Sequence, residues 1–407
     1  METLDHQTIK AALHLAVAGG FGPVCFNTMV ASGFSTPLEM LQAPEDRLPV
    51  FEGGIKKGGV GLQLARARFA RGEDKYIRRS LSLLEKGSLL WVRGTPVYPA
   101  ALLDVVDAPT VMMGLGDGVE AALAKPCVAI VGSRDATSYG LDMAAALAGG
   151  LARAGVTVVS GAAAGVDCAA HTAAMDAGGS TVAVLGVAVG SSRAVKADDE
   201  KAVAAAKLEM EVRVRARQQG GLMTEMFPES DQHAGSFTQR NRIISGLCRG
   251  VVVVEGAEGS GTAYTAGFAR KQGRMLMAVP GYASEPMAYM PHAVLRDGGR
   301  AVMCAEDVLV ELELLPRPET YVTVKRAVPK VRPSRVHAAR TPAVAPEGLS
   351  EAQQKAWDAL RGAKQAMLVD DVADRAGLSS SAVSSALLEL ELMGVCTRAA
   401  GGAYALA

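Results

Sequence analysis

The chain has 407 residues, and its 42 Lys and Arg residues balance 42 Asp and Glu residues, so the formal net charge is zero. This length predicts two or three domains. The charge balance excludes a globally basic nucleic-acid-binding protein, so any phosphate site must be a local patch. The six cysteines form no Cys-x-x-Cys motif, and most lie in apolar runs, which predicts reduced core thiols and neither a disulfide framework nor a zinc site.

The N-terminus is acidic, and no run of about 18 uninterrupted apolar residues occurs in the chain. These features predict a cytoplasmic protein without membrane contact. The Gly-x-x-x-x-Gly-Lys-Ser/Thr phosphate loop and the Gly-x-Gly-x-x-Gly dinucleotide fingerprint are both missing from the sequence. We therefore expect neither a phosphate-loop nucleoside triphosphatase nor a bound cofactor.

Residues 1–75 are predicted to form a small helical module, and residues 76–125 a transition into the next domain. The module could pack against its neighbour, bind a partner or contact DNA, and plain packing is favoured. The predicted elements here are helices over 11–18, 62–69 and 76–85, an apolar β-prone run over 89–92 and an added strand near 111–114.

Residues 126–310 alternate short apolar runs with helical patterns of 10–15 residues, which predicts an α/β domain with a parallel sheet covered on both faces. With the transition segment, this domain is expected to span 76–315. The predicted strands are 128–131, 156–160, 181–185, 221–225, 251–254 and 275–279, and the predicted helices are 138–153, 166–177, 237–247 and 262–272.

A long charged segment, residues 191–219, interrupts this rhythm. Its acidic residues come first and its basic residues last, which complements a helix dipole and predicts one surface helix. The arginine-rich end could meet a polyanion, but a solvated face is favoured.

Residues 316–347 contain six prolines and seven Lys or Arg residues, which is typical of an extended, mobile linker. Such a basic tether could bind nucleic acid weakly or only aid solubility. Residues 348–407 then show three helical patterns (350–360, 369–376 and 379–393) and two short strands (395–398 and 404–406), which together predict a winged helix. The third helix begins Ser-Ser-Ser-Ala-Val-Ser-Ser and offers no Arg, Lys, Asn or Gln, which favours protein contact or weak nonspecific binding over reading of duplex DNA.

Four loops follow the predicted parallel strands, so their residues should meet at the carboxyl edge of the sheet. Glycines allow close backbone approach, hydroxyl and N–H groups can donate to phosphate oxygens, and arginine is suited to phosphate. Together they predict a site for a phosphate-bearing ligand, although the first loop taken alone could equally be a tight turn with a solvated arginine. The loop residues are Gly132, Ser133, Arg134, Ser160, Gly161, Arg240, Asn241, Arg242, Ser260, Gly261 and Thr262.

Phe237 precedes the two arginines of its helix by one turn, and an aromatic ring beside cations is typical of a platform on which single-stranded bases stack. A core phenylalanine is the equal alternative. Asp167 and His171 are four residues apart on a helix and could act as an acid–base pair, although a structural hydrogen bond between them is favoured. Glu225 and Glu255 end strands and are candidate catalytic carboxylates, but Glu255 is more simply an acceptor for backbone N–H groups or an arginine partner.

Several ordered motifs resemble the DNA-processing protein A family (DprA, also called Smf). They are VAIVGSR (128–134), VVSGAAAGVDCAAH (158–171), FTQRNRIISGL (237–247), VVVVEGAEGSGTAYTAGFA (251–269), AVPG (278–281) and, in the C-terminal part, LLELELMGV (387–395). The resemblance covers about residues 88–310 and 349–407.

The resemblance implies an extended Rossmann-like domain that binds single-stranded DNA, followed by the family's winged helix. Such proteins load the RecA recombinase onto incoming strands during natural transformation, typically act as homodimers and have no established catalytic turnover. By match to the family's motifs, the loop at 132–134 would hold a DNA phosphate, and Phe237, Arg240, Asn241 and Arg242 would line the same pocket.

Three departures from the family pattern stand out. After the third strand, residues 190–193 and the long charged helix replace the usual Tyr-Pro and Asn, so a basic role there would fall to Arg193 or Lys196. Residues 290–292 read Met-Pro-His where the family usually has Gly-x-Asn. The first 75 residues match the family's N-terminal module poorly, which would fit a divergent member with altered DNA or partner specificity.

The leading function is therefore a non-enzymatic single-stranded DNA binder that mediates recombinase loading. One alternative is a nucleotide-handling enzyme, such as an N-glycosidase of nucleoside monophosphates that uses Glu225 or Glu255. The segment 257–262 lacks the Pro-Gly-Gly of such enzymes, which favours the binder. Another alternative is a winged-helix regulator of duplex DNA with a ligand-sensing α/β domain, against which the serine-rich third helix argues.

Overall fold

A computed structural model describes residues 4–18, 21–49, 51, 56–72, 74–191, 199–228, 234–316, 345, 348–363, 366–398 and 403–406. The chain forms two compact units, Met1–Pro318 and Glu319–Ala407. The linker predicted over 316–347 lies outside the described residues except for its first residue and residue 345. The domain boundaries proposed from the sequence therefore stay predictions.

The N-terminal part of the first unit is helical, and the helices predicted near residues 11–18, 62–69 and 76–85 overlap α1, α4 and α5. Its core is apolar, with Leu15, Phe26, Met29, Met40 and Leu62 all buried. The helices are α1 (His6–Val17), α2 (Pro23–Ala31), α3 (Pro37–Gln42), α4 (Lys56–Arg71) and α5 (Lys75–Glu85).

A sheet of nine strands, counted over the described residues, forms the centre of the first unit, in the order β1-β2-β6-β5-β4-β3-β7-β8-β9. The strands β3 to β9 are parallel, whereas β2 pairs antiparallel with β6 and β1 antiparallel with β2. The strands are β1 (Leu89–Val92), β2 (Val111–Leu115), β3 (Cys127–Val131), β4 (Thr157–Ser160), β5 (Thr181–Leu185), β6 (Gly220–Thr224), β7 (Gly250–Val253), β8 (Met275–Ala278) and β9 (Arg300–Ala301).

This architecture confirms the predicted α/β class with a large, mostly parallel sheet. The runs at 128–131, 181–185 and 251–254 are buried throughout because helices cover both faces of the sheet there. Strand β9 was not predicted, because its two residues are exposed and carry no apolar pattern.

Helices α7, α8 and α13 enclose one apolar layer of the sheet, and α10, α11 and α12 pack over the other. The helices are α6 (Val119–Leu123), α7 (Ser138–Arg153), α8 (Val166–Asp176), α9 (Glu200–Gln218), α10 (Ala234–Gly246), α11 (Thr262–Lys271), α12 (Tyr289–Arg296) and α13 (Ala305–Glu311).

Helix α9, predicted as a surface helix with a solvated arginine end, is partly buried against α8 and β6. Glu209 and Arg213 are buried and lie 3.6 Å apart as an ion pair, and Arg215 pairs with Asp176 at 2.5 Å. Arg213 therefore departs from the expected solvated arginine end, whereas Arg217 is exposed as expected. Pairing of the charges and packing of their aliphatic stems allow the burial of Arg213.

The strand order reverses at β3, and this reversal decides where a ligand can enter. From β3 the chain winds through β4 and β5 to β6 on one side, then returns to β7, β8 and β9 on the other. The loops after β3 and β7 therefore run in opposite directions, and a crevice opens between them at the carboxyl ends of these two strands.

The second unit confirms the predicted winged helix. Its helices pack around Trp357, Leu360, Val372, Val383 and Leu387, all of which are buried. The segment between the two predicted strands of this unit, residues 399–402, lies outside the described residues. The elements are α14 (Glu351–Arg361), α15 (Val369–Ala376), α16 (Ser380–Leu392), β10 (Cys396–Arg398) and β11 (Tyr404–Leu406).

All six cysteines are free thiols, as expected. Among the described residues, no helix combines the length and the apolar composition needed to cross a bilayer.

Candidate functional site

A cavity of about 430 Å³ occupies the crevice at the carboxyl edge, which we call the edge cavity. Four segments line it: the loop after β3, the region around the start of α8, the first half of α10 and the start of α11. The lining residues are Val131, Gly132, Ser133, Arg134, Ala163, Asp167, Phe237, Thr238, Arg240, Asn241, Ile244, Ser260, Gly261, Thr262 and Thr265.

The loop after β3 lies directly against the start of α8, and glycines make this approach possible. A Cβ atom on Gly132 would lie 2.5 Å from Cγ2 of Val166. Gly165 has a φ of +83°, and a Cβ there would lie 2.3 Å from the carbonyl oxygen of Ser133. The phosphate loop predicted from the sequence is thus held against the positive end of a helix dipole.

Glu255, at the end of β7, fixes the start of α7 behind this loop. Its carboxylate accepts from the backbone N–H of Thr137 at 2.8 Å and from the Thr137 hydroxyl at 2.6 Å. Thr137 in turn caps α7 by accepting from the N–H of Gly140 at 3.2 Å. The prediction that Glu255 accepts backbone N–H groups is confirmed, and its carboxylate does not line the cavity.

Arg134 is exposed at the mouth of the cavity, and no carboxylate within the described part of the chain pairs with it. Its guanidinium carbon lies 5.8 Å from the centroid of the Phe237 ring, a cation–π distance. The ring is half-buried and packs against the backbone of Gly186, where an added Cβ would lie 2.8 Å from it. Phe237 therefore both joins the core and lines the cavity beside a cation.

Arg240 is buried in the wall of the cavity, where it holds two strand ends together. Its guanidinium donates to the carbonyl of Gly161 at 2.8 Å and to the carbonyl of Val184. Burial lowers the pKa of Arg240 to about 10, against the opposing effect of the nearby Asp167 carboxylate. The group stays protonated at neutral pH, so its charge contributes to the potential in the cavity.

Asp167 is the acidic counterpart of Arg240. It accepts from the backbone N–H groups of Gly161 at 3.1 Å and Ala163 at 3.4 Å, which fixes the loop after β4. Burial raises the pKa of Asp167, and the charge of Arg240 opposes that rise.

The predicted hydrogen bond between Asp167 and His171 is not formed. Nδ1 of His171 instead lies 2.6 Å from the hydroxyl of Thr181, and burial lowers the pKa of His171 to about 3. The four-residue spacing puts both side chains on one face of α8, but the loop amides draw the carboxylate toward the cavity. The pair therefore supplies no acid–base relay.

Arg242 lies outside the edge cavity, although the sequence suggested a third cation there. It pairs with Glu225 at 2.5 Å and lies 3.8 Å from Asp107. Residues two apart on a helix differ by about 200° in direction, so Arg240 and Arg242 cannot face the same side.

The candidate residues of the loop after β4 are also outside the cavity lining. The Ser160 hydroxyl donates to the carbonyl of Ile130 at 2.6 Å, and Gly161 serves as the acceptor for the buried arginine of α10. Both are structural supports of the wall. Arg193 and Lys196, the candidates for a basic role after the third strand, lie outside the described residues.

The loop after β7 completes the cavity with hydroxyl and amide groups. Asn241 donates from Nδ2 to the carbonyl of Gly261 at 3.5 Å, and α11 begins at Thr262 without a side-chain cap. Among the described hydrogen bonds, the N–H groups of Ala263 and Tyr264 donate to the carbonyls of Ser260 and Gly261 at 3.1 Å and 3.2 Å. Of the first three amides of α11, that of Thr262 therefore remains for an anion. Thr265 also lines the cavity and was not predicted from the sequence, although its three-residue spacing from Thr262 indicates a shared helix face.

The edge cavity thus combines one exposed cation, one buried cation, a helix start, hydroxyl donors and an aromatic ring. These groups suit a phosphate that is attached to a stacking base. No group of three or more metal-ligating side chains occurs within the described residues.

Comparisons with known proteins agree with this architecture. The family "DNA recombination-mediator protein A" matches residues 90–313, and the "DprA winged helix domain" matches residues 340–402. The chain is 32% identical over 360 residues to a putative DNA processing protein DprA of Mycobacterium tuberculosis, covering 84% of this chain and 83% of that protein.

It is also 33% identical over 351 residues to protein Smf of Escherichia coli, covering 84% of each chain. The X-ray structure of DNA processing protein A from Streptococcus pneumoniae superimposes with a TM-score of 0.53 at 27% identity, covering 71% of this chain and 97% of that one. The chain therefore belongs to the DNA recombination-mediator protein A family, the DprA/Smf proteins.

Proposed function

We propose that this DprA-family protein binds single-stranded DNA in the edge cavity. The observation that carries the proposal is the exposed guanidinium of Arg134 beside the Phe237 ring and above a loop packed on a helix start. A phosphate bound by the loop at 132–134 and by the Thr262 amide at the start of α11 leaves its base free to stack on the Phe237 ring. The balanced net charge of the chain is compatible with this function because Arg134 and Arg240 place positive charge locally at the cavity.

Replacement of Arg134 by Ala tests the proposal. One lost phosphate contact weakens binding of all sequences and reduces the slope of log K against log salt by about 0.7 for a single strand. The measurement is a titration of fluorescent oligonucleotides, single- and double-stranded, at several salt concentrations. Arg153→Ala, which removes an exposed arginine at the far end of α7, is the control. An Arg134→Ala protein with unchanged affinity for single strands rejects the cavity as the DNA site.

The protein is proposed to be a binder and not an enzyme. An N-glycosidase needs a free carboxylate at the reacting bond, but Glu225 is paired with Arg242 and Glu255 with Thr137. Asp167 lines the cavity but is held by two backbone amides. Incubation with nucleoside monophosphates should release no free base, and release that is lost in Glu225→Gln or Glu255→Gln would reverse this assignment.

The cellular role we propose is loading of the RecA recombinase onto the bound strand, in natural transformation or another recombination pathway, by a cytoplasmic homodimer. The support is membership of a recombination-mediator family together with the single-strand site proposed above. Light scattering should give twice the chain mass, and RecA filaments should form faster on strands coated with a single-strand-binding protein when this protein is added. A monomer, or unchanged filament growth, contradicts the corresponding part.

A further inference from the structure

A second concentration of positive charge lies away from the edge cavity, at the junction of α4 and α5. Arg71, Lys75, Arg78 and Arg79 are all exposed there, and we call them the α5 basic patch. In the described part of the chain, none of the four lies within ion-pair distance of a carboxylate. Lys75 lies 4.8 Å from the centroid of the Tyr76 ring, which adds a half-buried aromatic to the patch.

The positions of these cations are electrostatically unfavourable for α5. Cations near a helix N-terminus oppose the helix dipole, and α5 has no acidic residue in its first turn to offset them. Its N-cap, Asp74, is already neutralised by an ion pair with Arg68. A cluster of cations that has no carboxylate partner among the described residues, in a chain of zero net charge, indicates a function rather than a contribution to stability.

The patch also lies at the same edge of the sheet as the cavity. Ile77, in the first turn of α5, is buried in one cluster with Val189 and Phe227, which follow β5 and β6. The loop after β4 lines the cavity, and β4 is separated from β6 by two strand spacings, about 10 Å. A strand that leaves the cavity on the β4 side is directed toward α5.

We propose that the α5 basic patch binds the phosphates of single-stranded DNA as the strand runs on from the edge cavity. The inference rests on the proposed function of that cavity and extends it to a second contact. The partner is single-stranded because a stacking aromatic accompanies the cations at both places.

The test compares oligonucleotides of two lengths, about 5 and about 20 nucleotides, with the full chain carrying Arg78→Ala and Arg79→Ala together. The longer strand should lose affinity roughly tenfold at low salt, and its slope of log K against log salt should fall by about 1.4, for two lost contacts. The shorter strand, which reaches only the cavity, should bind as it does to the unaltered protein.

The matched control is Arg153→Ala with Arg249→Ala, two exposed arginines at the amino edge of the sheet, which should bind both lengths normally. Unchanged affinity of Arg78→Ala/Arg79→Ala for the longer strand overturns the inference, as does an equal loss for both lengths. If Arg134→Ala binds normally while the patch variant loses the longer strand, the cavity assignment fails and the patch stands.

Discussion

The edge cavity and the winged helix belong to the same chain, yet they are stabilised by different forces. The cavity is lined by a buried arginine and a buried carboxylate that hold strand-end loops in place, with an exposed arginine at the mouth. Among its described residues the winged helix buries apolar side chains only, and the exposed start of α16 presents serines instead of cations. We therefore expect nucleic-acid binding at the cavity and not at the winged helix.

The largest effect is expected from the buried charge pair of the cavity wall. Arg240→Ala leaves Asp167 buried without its cation and frees two strand-end carbonyls, so the free energy of unfolding should fall by about 3–5 kcal/mol. Chemical denaturation measures this loss. The same substitution should also abolish single-strand binding because the wall of the cavity collapses.

A double-mutant cycle separates the charge effect from lost packing. Asp167→Asn in the Arg240→Ala background should recover part of the stability, because the uncompensated carboxylate is gone. Strict additivity of the two losses would mean that the two groups do not interact across the wall.

A smaller effect is expected from pH. His171 is buried and its pKa is lowered to about 3, so below its unfolded value of about 6.5 only the unfolded chain takes up the proton. Stability from this group is complete above about pH 6.5 and falls as the pH drops toward 3, by about 2 kcal/mol at pH 5. The raised pKa of Asp167 acts in the opposite direction, so the comparison must be made with a variant.

His171→Gln isolates the contribution. Its unfolding free energy should depend less steeply on pH between 7 and 5 than that of the unaltered protein, as measured by urea titration at each pH. Thr181 keeps its hydrogen bond to the carbonyl of Val158 in the variant. Parallel pH curves for the two proteins would show that His171 does not titrate differently on folding.

The smallest effect is expected at the winged helix. Ser381→Ala with Ser384→Ala removes two exposed hydroxyls from the start of α16 and should leave affinity for single- and double-stranded DNA unchanged. The measurement is the same titration used for Arg134→Ala. A loss of duplex binding would favour the alternative of a winged-helix regulator and would contradict the assignment of DNA binding to the cavity alone.

Much of the fold was predictable because its signals are local. The apolar runs at 128–131, 181–185 and 251–254 are buried strands, and the glycine-rich segments after them are loops at the carboxyl edge. The same holds for the winged helix, where the helices predicted to begin at residues 350 and 379 start from the capping residues Ser350 and Ser379.

Direction of side chains was predictable only in part. The spacing of Arg240 and Arg242 already implies opposite helix faces, so the sequence contained the information that only one enters the cavity. Which of the two does so depends on Glu225 and Asp107, which come from distant segments. Similarly, the spacing of Asp167 and His171 allows a contact that loop amides and Thr181 prevent.

Local sequence patterns specify the strand–loop–helix units and the position of Gly132, Ser133 and Arg134 at a sheet edge, because helix and strand periodicity depend on neighbours along the chain. The tertiary fold, in contrast, buries Arg240 in the cavity wall, turns Arg242 away from the cavity and brings the cations of α5 to the edge that they share with the cavity. Those outcomes depend on strand order and on partners far apart in sequence, which local patterns do not specify.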